Sequence, residues 1–449
     1  MAKRDHFASR IGFVLAAAGS AIGLGAIWKF PYMAGTNGGS VFVFLFIIST
    51  MIIGLPILLA EFVIGRKGQA DPVTALKKLA PGKKWFLIGW SGFFFAFLIL
   101  SFYSVVGGWI LSYLGRSLLF VLDNNGESYY AELFEAIIVN PWEVLVAQAV
   151  FMFLTILIVQ GGIKGGIERA SRLMMPALLI FLFVLVVRSL TLDGAMEGVK
   201  FMFVPDWSYF NGKTLILALG QAFFSLSVGV AGMMTYASYL PKEQKLGNSA
   251  LSVSLLNVGI SIMAGLIIFP AVFALGYSPN EGPGLVFIIL PAVFEQLPFG
   301  AFFMLLFFIL LLFATLTSSI SMLEIVVSIG IKNSYDKRKR AAWIYGLLIF
   351  LVGIPSALSF GVFSDFKIFN KTFFDFADFL TNSIGLPMGA LFISIFAGYV
   401  LSKTDTFTEL NISSLWFNTW HFIVRYLAPI AIILVFINAM LPTLQALWE

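Results

Sequence analysis

Long apolar runs separated by short polar breaks dominate this sequence of 449 residues and limit what it can fold into. Eleven such runs occupy residues 10–33, 39–65, 86–115, 142–159, 170–190, 214–239, 249–276, 299–330, 342–361, 379–401 and 419–445. An α-helix needs about 20 apolar residues to cross the hydrocarbon core of a bilayer, and each run meets or approaches that length. The sequence therefore predicts an all-α integral membrane protein with eleven transmembrane helices.

The composition argues against several other classes of protein. Charged residues make up 11% of the chain, whereas a soluble domain has about 25%. The absence of Cys excludes disulfide scaffolds and thiolate metal sites, and only 2 His are present. The net charge of +5 lies mainly in short loops and does not indicate nucleic-acid binding. A membrane-embedded enzyme is disfavoured, because the runs offer no nucleophile with a base and no carboxylate pair.

Lys and Arg in the short loops predict the orientation, because cytoplasmic loops carry an excess of these residues. Basic residues concentrate before the first run, between the second and third, and between the eighth and ninth, whereas segment 121–141 has acidic residues and no Lys or Arg. We therefore expect a cytoplasmic N-terminus and an external C-terminus. The short apolar segment 283–298 is expected to form an external re-entrant hairpin rather than a crossing.

Glycine clusters interrupt the first and sixth runs at mid-membrane depth, within residues 19–25 and 225–232. Glycine weakens a helix by roughly 1 kcal/mol relative to Ala, and unwound backbone inside a membrane must line a cavity or bind something. Close helix packing through small residues is the alternative at either place. Such interruptions at corresponding places in two halves of a chain indicate a transporter's central site.

The positions of the two interrupted runs also predict how the chain is organised. They begin two groups of five runs, and because five is odd, the two groups must have opposite topology. The prediction is a single transporter domain with inverted repeats over 10–190 and 214–401, followed by an eleventh helix over 419–445.

A row of small and hydroxyl residues in the eighth run is a second signal. Ala314, Thr317, Ser318 and Ser321 follow i, i+3, i+4, i+7 spacing and share one helix face. Their oxygen atoms are hard ligands of the type that suits small hard cations. Ordinary hydroxyl bonding back to the helix is the alternative, and the same holds for the lone amide of Asn257 in the seventh run.

Several motifs, taken together, are highly specific. They are RIG at 10–12, GSAIGLGAIWKFPY at 19–32, NGG at 37–39, EFVIGR at 61–66, GIER at 166–169, QAFFSLS at 221–227, YASY at 236–239 and LTSS at 316–319. With them the chain resembles the neurotransmitter:sodium symporter family, specifically its bacterial amino-acid members with eleven helices. That family is itself a known example of the inverted repeat, so the two arguments are not independent.

The resemblance implies a substrate site at mid-membrane. It would be lined by Ser20, Ala21, Leu24, Gly25, Ile99, Tyr103, Phe224, Ser225, Ser227, Val230, Ser318 and Met322. The amides of Leu24 and Gly25 with the Tyr103 hydroxyl would meet a carboxylate, and carbonyls of Ala21 and Phe224 would meet an ammonium group. An apolar pocket with few polar groups suits a zwitterion with an apolar side chain.

Two positions narrow the substrate class that the resemblance implies. Gly23 stands where monoamine carriers of the family have Asp, and Val230 is smaller than the residue in many relatives. We therefore expect hydrophobic L-amino acids, aliphatic and aromatic. The alternatives are another small zwitterion or a non-transporting receptor of the same fold.

Two sodium sites follow from the same resemblance. One would use Gly19, Ile22, Ala314, Thr317 and Ser318, all of which match the family pattern. The other would use Ala21, Ser225, Asn257 and the substrate carboxylate, although Ala26 replaces a frequent Asn ligand there. For chloride the sequence points both ways: Gln221, Ser225, Ser261 and Asn257 match a chloride site, whereas Phe46 replaces a ligand.

Gates and a flexible helix are implied in the same way. Lys29 would face Asp378 on the outer side, and Arg4, Phe7, Ser238 and Tyr239 would form the cytoplasmic gate. The usual acidic partner of Arg4 is replaced by Lys332, which leaves Glu324 or Asp336 as substitutes. Glu61 is expected against the unwound part of the sixth run. The chain between Gly166 and Pro176 is expected to unwind, with a static kink as the alternative; the oligomeric state is not predicted.

Overall fold

The computed structural model describes residues 5–119, 126–277, 284–332 and 334–445 of the chain. These residues form a helical bundle, within which strand-like pairing is limited to one isolated bridge between Ile368 and Lys371. The predicted all-α fold class is confirmed.

Nine helices in the described part of the chain are long and apolar enough to cross a membrane. They are Ser40–Gly68 (span 2), Lys84–Leu118 (span 3), Pro141–Val159 (span 4), Ile163–Leu190 (span 5), Leu246–Ala274 (span 7), Gly300–Ile331 (span 8), Arg338–Ala357 (span 9), Phe373–Val400 (span 10) and Ser414–Leu441 (span 11). A bent pair, Arg10–Ala21 and Gly25–Thr36, forms span 1. The sixth run holds two shorter helices, Gly212–Ser225 and Gly232–Ala237 (span 6), each too short to cross alone.

The spans differ in how deeply they lie in the bundle. In the most apolar part of span 3, 72% of the residues are buried, against 28% in span 11. Span 3 packs along span 8, and span 8 also packs against the inner half of span 1. Span 3 therefore lies deep in the bundle, and span 11 lies at its periphery, where a lipid bilayer would cover it.

Span 1 breaks where the sequence predicts it. The inner helix ends at Ala21, and the backbone N–H of Ile22 still donates to the Ala18 carbonyl at 2.7 Å. Ile22 and Gly23 leave the helix, and the chain resumes at an angle of 55° in Gly25–Thr36. One half-helix therefore presents its carbonyl end and the other its amide end at the same depth.

Span 6 breaks between Ser225 and Gly232, as its glycine cluster predicts. The segment contains three residues with positive φ, at 52° for Ser227, 103° for Gly229 and 60° for Ala231. Gly229 is required for a second reason, because a Cβ atom there would lie 2.3 Å from the Leu386 carbonyl oxygen of span 10. Span 10 thus packs backbone against backbone on the break.

Span 5 is helical through the segment that is expected to unwind, and the unwinding stays a prediction. Gly166 lies in a wide π-helical turn, Ile163–Glu168, and Pro176 lies inside the helix Arg169–Leu190, which continues through it. The expected unwinding between these residues is therefore absent from this conformation, in which the chain is wound.

The short apolar segment after span 7 forms helix Leu285–Glu295, too short to cross a membrane. It packs against span 3, where the Tyr113 hydroxyl donates to the Phe287 carbonyl at 2.8 Å and Phe287 contacts Trp109 with ring centroids 6.0 Å apart. This agrees with the expected non-crossing segment, of which residue 283 lies outside the described residues.

Candidate functional site

A cavity of about 300 Å³ lies between the breaks of spans 1 and 6. It is lined by all of the predicted substrate residues except one: Ser20, Ala21, Leu24, Gly25, Ile99, Tyr103, Phe224, Ser227, Val230, Ser318 and Met322. The exception, Ser225, is fully buried, and its hydroxyl donates to the Ala222 carbonyl at 3.3 Å. The residues that the resemblance grouped are therefore brought together around one cavity.

Other residues line the cavity without having been predicted. They include Trp28, Phe102, Val106, Ser321, Ile325, Phe374, Asn382 and Leu386. Ser321 was recognisable as part of the hydroxyl face of span 8, but that face was interpreted only for cations. The aromatic residues gave no signal, because Phe alone contributes 49 residues to the sequence.

The outer half of span 1 supplies an amide end to this cavity. Its first residues, Leu24 and Gly25, both line the space, and the Leu24 N–H donates to the Tyr103 hydroxyl oxygen at 3.4 Å. Free N–H groups at the start of a helix, with the helix dipole, favour an anion. This end of the cavity suits a carboxylate.

Gly23 leaves no room for a side chain at the centre of the site. A Cβ atom built on it would lie 2.4 Å from Ser318 Oγ and 2.7 Å from Tyr103 Oη. An Asp at this position would displace both hydroxyls. Position 23 therefore supplies no carboxylate at the centre of the site, beside Ser318 and Tyr103.

The inner half of span 1 supplies a carbonyl end. Ser318 Oγ donates towards the Gly19 carbonyl at 3.3 Å and the Ser20 carbonyl at 3.2 Å. Thr317 Oγ1 lies 3.0 Å from the Ala314 carbonyl oxygen, and a Cβ atom on Gly19 would lie 3.0 Å from Thr317 Cβ. Gly19, Ala314, Thr317 and Ser318 thus form one oxygen-rich cluster, and Ile22 directly follows the end of the inner helix. Hydroxyl and carbonyl oxygens suit a hard cation.

Asn257 and Ser225 are in contact and belong to the second predicted cation site. Asn257 Nδ2 donates to the Ser225 carbonyl at 2.8 Å, while the buried Asn257 Oδ1 has no hydrogen-bond partner among the described residues. The Ala21 carbonyl accepts a hydrogen bond from the Gly23 N–H at 3.1 Å. A buried acceptor without a donor is costly, and a cation beside Asn257 would satisfy it.

Each polar residue that matches a chloride site donates a hydrogen bond to a carbonyl group, and the amide NH₂ groups of Gln221 and Asn257 each keep a second proton. Gln221 Nε2 donates to the Gly25 carbonyl at 2.7 Å, and Ser261 Oγ donates to the Asn257 carbonyl at 2.9 Å. Ser225 Oγ and Asn257 Nδ2 also donate to carbonyls, and Phe46 has no polar atom. The acceptors Gln221 Oε1 and Asn257 Oδ1 have no hydrogen-bond partner among the described residues.

The expected ion pair at the Lys29 end of the cavity is absent. Lys29 and Asp378 both line the cavity, but the Lys29 ammonium lies 4.0 Å from the ring centroid of Phe224, in a cation–π contact. The Asp378 carboxylate instead accepts a hydrogen bond from Asn382 Nδ2, four residues further along span 10. The two charges face the same space without a direct contact.

At the opposite end, Phe7 and Tyr239 meet as expected. The Phe7 N–H donates to the Tyr239 carbonyl at 3.3 Å, and the Tyr239 hydroxyl donates to Glu324 at 2.7 Å. Ser238 Oγ donates to the Thr235 carbonyl at 2.6 Å. Arg4 lies outside the described residues. Glu324, one of its suggested partners, forms a buried ion pair with Arg338 of span 9, a partner that sequence reasoning missed.

Sequence reasoning also missed how the segment before span 1 is attached. Asp5 Oδ2 accepts the backbone N–H groups of Ile163 at 2.6 Å and Lys164 at 3.3 Å. Glu168 Oε2 accepts the Ala8 N–H at 2.7 Å, and Glu168 also pairs with Arg172. The segment is therefore bound to the wide turn that begins span 5.

Glu61 lies where it was expected, against the break of span 6. Its two carboxylate oxygens accept the N–H groups of Gly229 at 2.7 Å and Met234 at 3.1 Å. The side chain is fully buried. A buried carboxyl group in a membrane helix therefore has a structural role in holding unwound backbone.

Two broken spans around a cavity with an amide end and a carbonyl end are typical of a secondary transporter. Comparison with known proteins agrees with this class. The chain is 52% identical to an uncharacterized sodium-dependent transporter of Bacillus subtilis, YhdH, over 97% of this chain and 98% of that protein. It is 37% identical to an uncharacterized sodium-dependent transporter of Haemophilus influenzae, over 97% of this chain and 98% of that protein.

The family follows from two further findings. The profile described as the sodium:neurotransmitter symporter family matches residues 4–126 and 127–447. The fold matches the crystal structure of MhsT in complex with L-phenylalanine with a TM-score of 0.90 and 45% identity, covering 97% of this chain and 100% of that one. The chain belongs to the sodium:neurotransmitter symporter family. It is a multi-pass membrane transporter that uses sodium, and not an enzyme.

Proposed function

We propose that this protein couples sodium entry to the uptake of hydrophobic aliphatic and aromatic L-amino acids by alternating access. The single observation that carries the substrate class is the cavity at Gly23. It has an amide end for a carboxylate, no room for an internal Asp, and apolar walls from Ile99, Val230 and Met322. The L-phenylalanine bound to MhsT, a relative at 45% identity, supports the same class.

In the proposed complex the carboxylate lies at Leu24, Gly25 and Tyr103. The substrate ammonium lies near the Ala21 and Phe224 carbonyls and Ser227. Ser20, Ile99, Val230, Ser318 and Met322 surround the side chain. Ser225 acts from behind the cavity wall, as a ligand of the ion rather than of the substrate.

Two sodium ions are proposed as co-substrates. The cluster of Gly19, Ile22, Ala314, Thr317 and Ser318 binds one ion between spans 1 and 8. Ala21, Ser225 and Asn257 bind the other beside the substrate carboxylate, and the unpartnered Asn257 Oδ1 supports this assignment. Because that ion and the carboxylate are neighbours, each strengthens the binding of the other by reciprocal linkage.

We further propose that transport is independent of chloride. An anion needs N–H or O–H donors; Phe46 supplies none, and the hydroxyls of Ser225 and Ser261 already donate to carbonyl groups. The unpartnered acceptors Gln221 Oε1 and Asn257 Oδ1 repel an anion.

The remaining proposals concern organisation. Residues 10–190 and 214–401 form the two inverted repeats of one domain, and 419–445 the additional helix. The protein lies in a bacterial inner membrane with its N-terminus in the cytoplasm and its C-terminus outside. Lys29 and Asp378 then lie on the outer side, with Arg4, Phe7, Ser238 and Tyr239 on the inner side. Gly166 and Pro176 permit span 5 to unwind when the inner side opens.

Uptake of labelled leucine and tryptophan into proteoliposomes tests the proposal. We expect accumulation when sodium is higher outside, none when potassium replaces sodium on both sides, and no change when gluconate replaces chloride. Accumulation of glycine or GABA but not of leucine would contradict the substrate class. Binding without accumulation would indicate a receptor, and flux that does not saturate would indicate a channel.

A further inference from the structure

A chain of hydroxyl groups in the cavity wall has its protons directed away from the cavity. Ser321 Oγ donates to the Ser318 carbonyl at 2.7 Å, so its proton is committed to the backbone of its own helix. Ser20 Oγ lies 2.8 Å from Ser321 Oγ and must therefore be the donor in that contact. Ser20 Oγ keeps both lone pairs and Ser321 Oγ keeps one.

The neighbouring hydroxyls follow the same rule. Ser227 Oγ donates to the Ser20 carbonyl at 3.1 Å, and Ser318 Oγ donates to the Gly19 and Ser20 carbonyls. The wall formed by these four serines therefore offers acceptors to a ligand and no free hydroxyl proton. Such a wall distinguishes a ligand that can donate a hydrogen bond from one that cannot.

Ser20 and Ser321 belong to the part of the cavity that the side chain of a substrate would reach. Ser318 lies beside Tyr103 Oη and Gly23, where the carboxylate end of the cavity meets the part proposed for the side chain. At 1.5 Å per residue, Ser321 lies about 4.5 Å beyond Ser318 along span 8, and Ile325 lies about 10.5 Å beyond it. Ser321 and Ile325 both line the cavity, so it extends along span 8 beyond Ser318.

We propose that Ser20 and Ser321 form a specificity-determining acceptor pair for a side chain that carries a donor on an otherwise apolar body, above all the indole N–H of tryptophan. This rests on the proposed function and refines its substrate class. Indole has one N–H and no acceptor, which matches a wall with acceptors only. Phenylalanine and leucine fill the same space without the hydrogen bond, and the phenol of tyrosine can make it through its O–H.

The test compares L-tryptophan with β-(3-benzothienyl)-L-alanine, in which sulfur replaces the N–H at nearly the same size. Each is used to compete with labelled leucine in sodium buffer. We expect the wild-type protein to bind tryptophan more tightly than the sulfur analogue. In the Ser20→Ala/Ser321→Ala variant, the ratio of the affinity for tryptophan to the affinity for the sulfur analogue should fall roughly 3- to 10-fold, which corresponds to one neutral hydrogen bond.

The matched control is Ser319→Ala. Ser319 lies on the same helix, but its hydroxyl donates to the Leu316 carbonyl and contacts Thr155 on span 4, away from the cavity. We expect this variant to keep the wild-type ratio of the two affinities. If the double variant does not fold, Ser321→Ala alone is measured, and its ratio should fall in the same direction.

Three results would overturn the inference. They are a wild-type protein that binds the sulfur analogue as tightly as tryptophan, an unchanged ratio in the double variant, and an equal fall of the ratio in Ser319→Ala. Leucine uptake by the wild-type protein separates this failure from failure of the proposed function, because leucine needs no acceptor. Absence of uptake of both leucine and tryptophan would overturn both.

Discussion

The breaks in spans 1 and 6 are stabilised in different ways. In span 6, two backbone N–H groups donate to the carboxylate of Glu61, a charged partner supplied by the protein. In span 1, carbonyls of Gly19 and Ser20 accept from neutral hydroxyls at 3.1–3.3 Å. Hydrogen bonds to a charged group are about twice as strong as neutral ones. The carboxyl group of Glu61 therefore occupies the break of span 6. The amide end and the carbonyl end of span 1 remain available to a substrate and an ion.

Replacing the Glu61 carboxylate should have the largest effect. In Glu61→Gln one side-chain oxygen becomes an NH₂ group, which cannot accept from the backbone N–H it faces. We expect a loss of about 2–3 kcal/mol in the free energy of unfolding, the order for a hydrogen bond to a charged group. Thermal unfolding in detergent measures it, with the exposed Glu135→Gln as control. If Glu61→Gln and Glu135→Gln are equally stable, Glu61 does not stabilise the break of span 6 in the proposed way.

Removing the hydroxyls that face the carbonyl end of span 1 should act on ion use rather than on folding. Thr317→Ala together with Ser318→Ala removes two proposed sodium ligands. We expect the sodium concentration that gives half-maximal uptake to rise roughly 100-fold, because the loss of each oxygen weakens sodium binding by about 1–1.5 kcal/mol. Uptake against sodium concentration measures this, and unfolding of the same sample shows that the fold is kept. Unchanged sodium dependence would refute the ion assignment.

Tyr103→Phe tests the amide end of span 1. Loss of its hydroxyl removes one proposed donor to the substrate carboxylate, and we expect affinity to fall roughly 10-fold, about 1–2 kcal/mol. Competition against labelled leucine at saturating sodium measures the affinity. If the affinity is unaltered, the carboxylate does not contact Tyr103.

The smallest effect is expected at Lys29, whose ammonium on span 1 lies over Phe224 of span 6. Lys29→Gln removes a cation–π contact between the two broken spans, worth about 0.5–1 kcal/mol. Substrate affinity should therefore fall only roughly 2- to 5-fold. A loss as large as that for Tyr103→Phe would indicate that Lys29 pairs with Asp378 during transport.

The two breaks also show which features of the structure can be predicted from the sequence. Glycine clusters locate both breaks because they act locally on helix stability. The resemblance locates the lining of the cavity and the contact of Glu61. It does not predict that Lys29 lies over Phe224, because that depends on which rotamer the packed side chain adopts. The Glu324–Arg338 pair joins two spans across a loop. Four basic residues stand in a row at 337–340, and the sequence does not indicate which of them points into the bundle.

The attachment of Asp5 and Ala8 to span 5 has a practical consequence for anyone handling this protein. A purification tag or fluorescent protein joined ahead of Asp5 would disturb the hydrogen bonds that Ile163 makes with Asp5 and that Ala8 makes with Glu168. Reporters placed there would report a perturbed resting state, so the opposite terminus is the better attachment point for labels and for immobilisation.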